Sequence, residues 1–302
     1  MRFIEFYSHL RPRKLMLALA AFILVAAGCV PSTVSFPHIH GLAFSSDGTQ
    51  LIVPAHDGFR LYSEAAGWQD PAELPRRDYM GYSPVDSGFY SSGHPAPGSQ
   101  DINPLGLVHS DDMGVSVTKL GLEGESDFHV MAVGYYNHAI YVLNPGPNSR
   151  MQAGIHYSMD DGATWTQSAL NGLMAQPYQL AVHPSEPNIL AAATPSGVYF
   201  STDFADNFSL ISASAQVASV AFSPAGDALF FALTDITRYD LSTEETLPVN
   251  SPPVQSGDAI LYLAVGPADS SHLAAATSTN DIFLSTDGGA SWQQIADNGR
   301  GL

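Results

Sequence analysis

The chain has 302 residues, enough for one large domain or two ordinary ones, and a formal charge of −18 from 11 Lys and Arg against 29 Asp and Glu. So acidic a surface repels nucleic acid, which excludes DNA and RNA as partners. Charged residues make up only 13% while Gly (26) and Pro (21) are plentiful, a balance that suits short strands and many turns rather than long amphipathic helices.

At the N-terminus, Arg11, Arg13 and Lys14 precede an apolar run from Leu15 to Ala27. That run has the length of a signal-peptide core and is short for a membrane span. It ends Val25-Ala26-Ala27-Gly28-Cys29, small residues before a cysteine that resemble the bacterial lipobox, with Ala26 where Leu is usual. The resemblance implies that residues 1–28 are a lipoprotein-type signal peptide. Cys29 would then carry the lipid that anchors an exported chain to the bacterial cell envelope, in the periplasm or at the cell surface. An ordinary cleaved signal with an incidental cysteine, or a retained anchor, are the alternatives. Cys29 is the only cysteine, so no intramolecular disulfide forms. Without residues 1–28 the balance becomes 7 basic residues against 28 acidic.

Residues 29–37 read as a tether, with Thr33–Phe36 placed to pair with the last repeat. From residue 38 to 302 one plan of short strands recurs. It fits Gly41–Phe44, Leu51–Pro54 and Phe59–Tyr62, then Tyr178–Val182, Ile189–Ala193, Val198–Ser201 and Phe208–Ile211. It fits again at Val217–Phe222, Ala228–Leu233 and Ile236–Tyr239, and at Ile260–Val265, Leu273–Ala276, Ile282–Ser285 and Trp292–Ile295. Short antiparallel strands repeated radially make a β-propeller, an all-β fold. Repeats start near residues 38, 78, 127, 177, 216 and 258, which predicts six four-stranded blades. A seventh is allowed if the first or last repeat is shared across the closure.

A turn motif marks the period. Ser158-Met159-Asp160-Asp161-Gly162-Ala163-Thr164-Trp165 and Ser285-Thr286-Asp287-Gly288-Gly289-Ala290-Ser291-Trp292 both read S-x-D-x-G-x-[ST]-W. Ser110, Asp112, Gly114 and Ser116 keep all but the Trp, which is Val117. Ser201, Asp203 and Phe208 keep a weaker copy, with Ala205 in place of Gly. Successive copies lie 48, 43 and 84 residues apart, the last being two periods. The motif resembles the Asp-box of β-propeller proteins. Its chemistry is structural: the Asp accepts backbone N–H bonds, the Gly allows φ > 0, and the Trp packs between sheets.

A separate pattern occupies the first three repeats. His38 and His40 precede the first inner strand, and His56 follows the second strand. Asp78 and His94 take the same two places in the second repeat, and Asp127 and His129 the first of them in the third. These places share one face near the channel of a propeller, which makes the seven residues candidates for ligand binding. Imidazoles and carboxylates suit a divalent metal such as Zn or Cu, with His40, His56, His94 and His129 as the candidate ligands. A polar organic ligand and a purely structural polar rim are the other two readings. The loop from Gly93 to Pro104 inserts on the same face, where long loops often carry binding.

The chain as a whole resembles the bacterial Asp-box (BNR-repeat) propellers, a group that includes sialidases, sortilin-type receptors and exported proteins loosely labelled glycosyl hydrolases. His38-Ile39-His40-Gly41-Leu42, Ser92-Gly93-His94-Pro95 and Asp127-Phe128-His129 look like the last subgroup. Sialidase chemistry is excluded, because no arginine of this chain stands in the motif before the first box. The resemblance implies binding of an envelope protein, a glycan or a small ligand. Glycoside hydrolysis is the alternative; it needs two facing carboxylates, for which Asp78 and Asp127 are the candidates, with Asp57 and Asp101 on the same face.

Overall fold

Runs of β-branched, aromatic and alanine residues, broken by Gly, Pro and Asp turns every ten residues or so, fold into six antiparallel sheets. The fold is known from a computed structural model that describes Met1 and residues 34–302. The lipidation candidate Cys29 lies outside the described residues, as does Thr33. Blade one holds β1 (Ala43–Phe44), β2 (Leu51–Ala55), β3 (Gly58–Ser63) and β4 (Gly67–Gln69). Blade two holds β5 (Asp78–Val85), β6 (Gly88–His94), β7 (Leu107–Ser110) and β8 (Thr118–Gly121). In blade three come β9 (Met131–Val133), β10 (Ile140–Asn144), β11 (Gly154–Ser158) and β12 (Thr166–Gln167), and in blade four β13 (Gln179–Val182), β14 (Leu190–Thr194), β15 (Gly197–Ser201) and β16 (Ser209–Leu210). Blade five is β17 (Ser219–Phe222), β18 (Ala228–Ala232), β19 (Ile236–Asp240) and β20 (Thr246–Val249). Blade six is β21 (Ile260–Val265), β22 (Leu273–Thr277), β23 (Ile282–Ser285), β24 (Gln293–Asp297) and a short fifth strand, β25 (Arg300–Gly301). Each blade is a simple meander, and among the described residues the six form a β-propeller without a seventh. Among the described residues no helix is long and apolar enough to cross a membrane.

The first strand of each blade contacts the first strand of the next, and β21 returns to β1, so these six inner strands ring a central channel. Six apolar clusters hold the ring together, one at each junction of neighbouring blades. A middle strand is therefore buried on both faces, and its sequence obeys that demand. In β14, Leu190 and Ala192 face blade three while Ala191 and Ala193 face blade five. The same division falls in β22, where Ala274 and Ala276 join the cluster with blade one and Leu273 and Ala275 the cluster with blade five. Alanine at these positions lets neighbouring sheets approach closely.

The ring closes through the N-terminal segment. Ser35 bridges Arg300, the Phe36 amide donates to the Gly299 carbonyl at 2.7 Å, and the Gly301 amide donates to the Val34 carbonyl at 3.0 Å. Buried Arg60 of blade one donates to the Ser35 carbonyl and pairs with Asp57. Trp68 donates from its indole to the Ile295 carbonyl at 2.5 Å.

Four inter-strand turns share one bond set. In the first, Ser110 donates to Asp112 Oδ1 and accepts from the Gly114 amide, while Asp112 accepts from both the amide and the hydroxyl of Ser116. Ser158, Asp160, Gly162 and Thr164 repeat it, as do Ser285, Asp287, Gly289 and Ser291. The copy without glycine keeps it too: the Ala205 amide donates to Ser201, and Asn207 replaces the hydroxyl residue on Asp203. Ala205 accepts a φ of 65° to do so, where Gly114, Gly162 and Gly289 stand at 78°, 77° and 85°. Trp165 packs on the cluster between blades two and three, and Trp292 on that between five and six.

Candidate metal centre and channel mouth

The segment before β1 brings the first histidines together. Ile39 bridges Ala55 and is buried in the core, so His38 and His40 on either side of it point the other way. The His40 amide donates to the Pro54 carbonyl, and the His56 amide to that of His38, which places His56 beside them. Two of them, His40 and His56, meet Asp78, the first residue of β5 in the neighbouring blade. His40 Nε2 lies 3.1 Å from Asp78 Oδ1, and His56 Nδ1 lies 2.8 Å from Oδ2. Neither contact is aligned as a hydrogen bond, and both carboxylate oxygens and His40 Nε2 are buried without a hydrogen-bond partner. Asp78 is only 5% exposed and the His40 side chain 8%, whereas that of His56 is 63% exposed. One donor atom from each of His40, His56 and Asp78 falls in a group spanning no more than 4.8 Å. His38 stacks edge-on against His40 at 4.7 Å. Loss of water around its ring holds its pKa below 6.5; charge on His40 and His56 adds to this, and Asp78 opposes it.

A second set lies next to the first. Asp78 and His94 are direct partners across β5 and β6, and directly paired residues set their Cβ atoms about 5 Å apart. Glycines with positive φ make room for this convergence. Gly81 sits in a bulge of β5, where a Cβ would collide with the Phe128 carbonyl oxygen. Gly93 approaches the Asp78 carbonyl in the same way. The Phe128 amide donates to Ser92 Oγ at 3.0 Å, which fixes Asp127 and His129 beside His94. Asp127 Oδ2 then lies 3.4 Å from His94 Nε2 and 2.9 Å from His129 Nε2, and its Oδ1 is a buried atom without a hydrogen-bond partner. The four histidines thus divide between two carboxylates, His40 and His56 on Asp78, His94 and His129 on Asp127.

The long loop after His94 has a part that its sequence did not disclose. Asn103 Oδ1 lies 2.7 Å from His94 Nδ1, on the opposite side of the ring from Asp127. The loop itself is tied down by Leu105, whose amide donates to the Gly93 carbonyl, and by an ion pair of Asp101 with Lys119 at 2.8 Å. Asp57 is likewise taken up by Arg60. Of the remaining histidines, expected at turns and surfaces, His183 Nε2 lies 2.9 Å from the Gly226 carbonyl while its Nδ1 accepts the Ser185 and Glu186 amides, and His138 pairs with Asp86; His156 and His109 instead lie in β11 and β7, His156 buried at 3% exposed.

Below the two sets runs a channel of about 590 Å3 lined by all six inner strands. His40 and His129 belong to its wall at this end, as do Tyr178, Gln179 and Gln216 from the other half of the ring. Leu42, Tyr82, Leu180 and Tyr262 line it further in. In blades four and six the ends of the second strands hold self-contained hydrogen bonds. Thr194 donates to the Gly197 carbonyl and accepts from the Ser196 amide, and Thr277 accepts from the Asp281 amide.

Solved structures share this architecture. Over 88% of the chain it is similar to an enzyme of glycoside hydrolase family 74 from Niastella koreensis, with a TM-score of 0.57 and 14% identity. A family 74 xyloglucanase from Xanthomonas campestris is similar over 88% of the chain, with a TM-score of 0.53 and 13% identity. The chain spans less than half of either enzyme, 46% in each case. YCF48 bound to a D1 peptide is similar over 86% of this chain and 82% of its own, with a TM-score of 0.50 and 17% identity. At such identities the likeness is one of fold, and a propeller hosts many functions. The sequence matches no protein-family model and no curated protein.

Proposed function

We propose that this chain is an exported, lipid-anchored Asp-box propeller that works by binding. In this reading His40, His56 and Asp78 hold a divalent cation, zinc or copper, and present it at the channel mouth to an envelope protein, a glycan or a small ligand. The observation that carries it is the state of Asp78. A carboxylate buried to this degree costs several kcal/mol unless it is paired and hydrogen-bonded. Here two imidazole nitrogens crowd it without donating to it. Two nitrogens and a carboxylate oxygen gathered around one point are a donor set for zinc or copper. The exposed side of His56 leaves room for a fourth ligand from outside. Export rests on the basic residues, apolar run and Cys29 of the N-terminus. Labelling with a lipid precursor, lost in Cys29→Ala, tests it.

The metal reading is tested by elemental analysis and by zinc titration against a competing dye. The purified protein binds zinc, and Asp78→Asn or His40→Ala weakens that binding at least tenfold. Equal zinc affinity in all three proteins overturns it. The family 74 likeness favours a second reading, a glycoside hydrolase acting through Asp78 and Asp127. Turnover on a glycan panel that vanishes in Asp127→Asn would promote it over binding.

A further inference from the structure

We infer that the central channel is itself a binding site, for an uncharged and mostly apolar small molecule with one hydrogen-bond acceptor that the side-chain amide of Gln179 meets. This goes beyond the cation reading and does not depend on it. Its volume, about 590 Å3, is that of sites for drug-sized molecules.

Charge decides the class of ligand. The chain carries 29 Asp and Glu, yet among the described residues that line the channel none is Asp, Glu, Lys or Arg. A charged molecule drawn between such walls would lose its water and gain no ion pair, a penalty that an uncharged one does not meet. The far end of the channel, where the inner strands finish, is lined by Phe44, Pro84, Pro184, Pro224 and Pro267, and proline has no N–H to present.

One inner strand holds an apolar side chain out of the core. Leu261 is the extra residue of a bulge in β21, between Ile260, paired with Thr277, and Tyr262, paired with Ala276. Ile260 and Leu263 join the cluster with blade five, and Tyr262 packs on the cluster with blade one. Leu261 belongs to neither cluster; it lines the channel, half-buried. That leaves apolar surface for a ligand to cover.

The polar contact comes from the way inner strands are sealed. The Val133 amide donates to Ser83 Oγ of the preceding blade at 2.8 Å, and the Val220 amide to Gln179 Oε1 at 2.8 Å. The second bond fixes which way the Gln179 amide points. With its oxygen held by Val220, both hydrogens of Nε2 are left to donate, and no group of the described residues takes them. Gln179 lines the channel towards the histidine end, so an acceptor on the ligand meets it there while the apolar body lies beyond.

Fluorescence titration of the purified protein with prodan, a neutral aromatic ketone, tests this. Saturable binding at one probe per chain is expected, with emission shifted to the blue. Anilinonaphthalene sulfonate, an anionic aromatic probe, should bind about 10-fold more weakly or worse. Leu261→Asp, outside the core clusters, should weaken prodan binding by about 10-fold or more. Gln179→Leu should weaken it by about 3-fold or more and move the bound emission further to the blue, because the ketone loses its donor. Asp78→Asn should bind prodan as the wild type does. No saturable binding, equal affinity for the two probes, or prodan affinity unchanged in both Leu261→Asp and Gln179→Leu overturns the channel site. A protein that binds prodan as expected but no zinc overturns the cation reading alone.

Discussion

Asp78 and Asp258 both lie where the chain enters an inner strand, in blades two and six, and both are buried, at 5% and 6% exposed. Their surroundings differ sharply. The Asp258 carboxylate accepts from the hydroxyls of Ser278 and Thr279 and from the amides of Ala259 and Thr279. Burial works to raise its pKa, but the hydrogen bonds from Ser278, Thr279 and Thr277 outweigh it and hold the group below 3.8. Asp78 has two imidazoles at contact distance and no aligned donor. The same fold supplies a complete set of donors to one buried carboxylate and withholds it from another. In the proposed reading the partner that Asp78 lacks is the cation.

The largest effect expected from this contrast is on metal-linked stability. Zinc at a hundredfold excess over its Kd stabilises a one-site protein by about 2.7 kcal/mol. Thermal melts should show such a gain in the wild type, lose it in Asp78→Asn and keep it in Asp258→Asn. Equal gains in both variants would erase the distinction. Without metal the order reverses. Asp258→Ala strands four donors and should cost about 1–3 kcal/mol in urea unfolding. Asp78→Asn removes a buried charge that lacks donors, and the stripped protein should be as stable as the wild type or more so. The smallest effect sharpens the structural side of the contrast. Side-chain hydrogen bonds from Ser116, Thr164 and Asn207 hold Asp112, Asp160 and Asp203 below the ordinary carboxylate value, and Ser291 leads those that hold Asp287 at about 2. A depressed folded-state pKa gives stability that is complete above the unfolded value and is lost as the pH falls through the folded one. Unfolding measured from pH 5 to 2 should therefore weaken between about pH 4 and 2, and less steeply in Asp287→Asn.

The fold was legible because its period is written into turns that must recur wherever a blade does. Strands such as Leu190–Thr194 betray burial on both faces through an unbroken apolar run, and the structure uses both faces as that run requires. The weak third copy of the turn could be placed by spacing alone, since Ala205 can bear a positive φ that glycine takes without strain. The candidate site was legible by position: repeat arithmetic puts His38, His40, His56, Asp78, His94, Asp127 and His129 at one end of the ring. What arithmetic does not supply is which side chains meet. The split into two carboxylate-centred sets depends on the register of Asp78 with His94 and on the bulge at Gly81 that admits Phe128, both of them through-space facts. Asn103 was missed for the same reason. An inserted loop was visible after His94, but its folding back onto that ring was not.

The pairing of Ser35 with Arg300 makes one of the six junctions unlike the others. Five seams join blades that follow each other along the chain, whereas the sixth joins its two extremities. Its closure costs the most chain entropy, so it forms late in folding and is the first to part when the ring breathes. Exchange of the Phe36 and Gly301 amides would therefore clock the opening of the whole wheel, while the amides of β14 would keep time with its complete collapse.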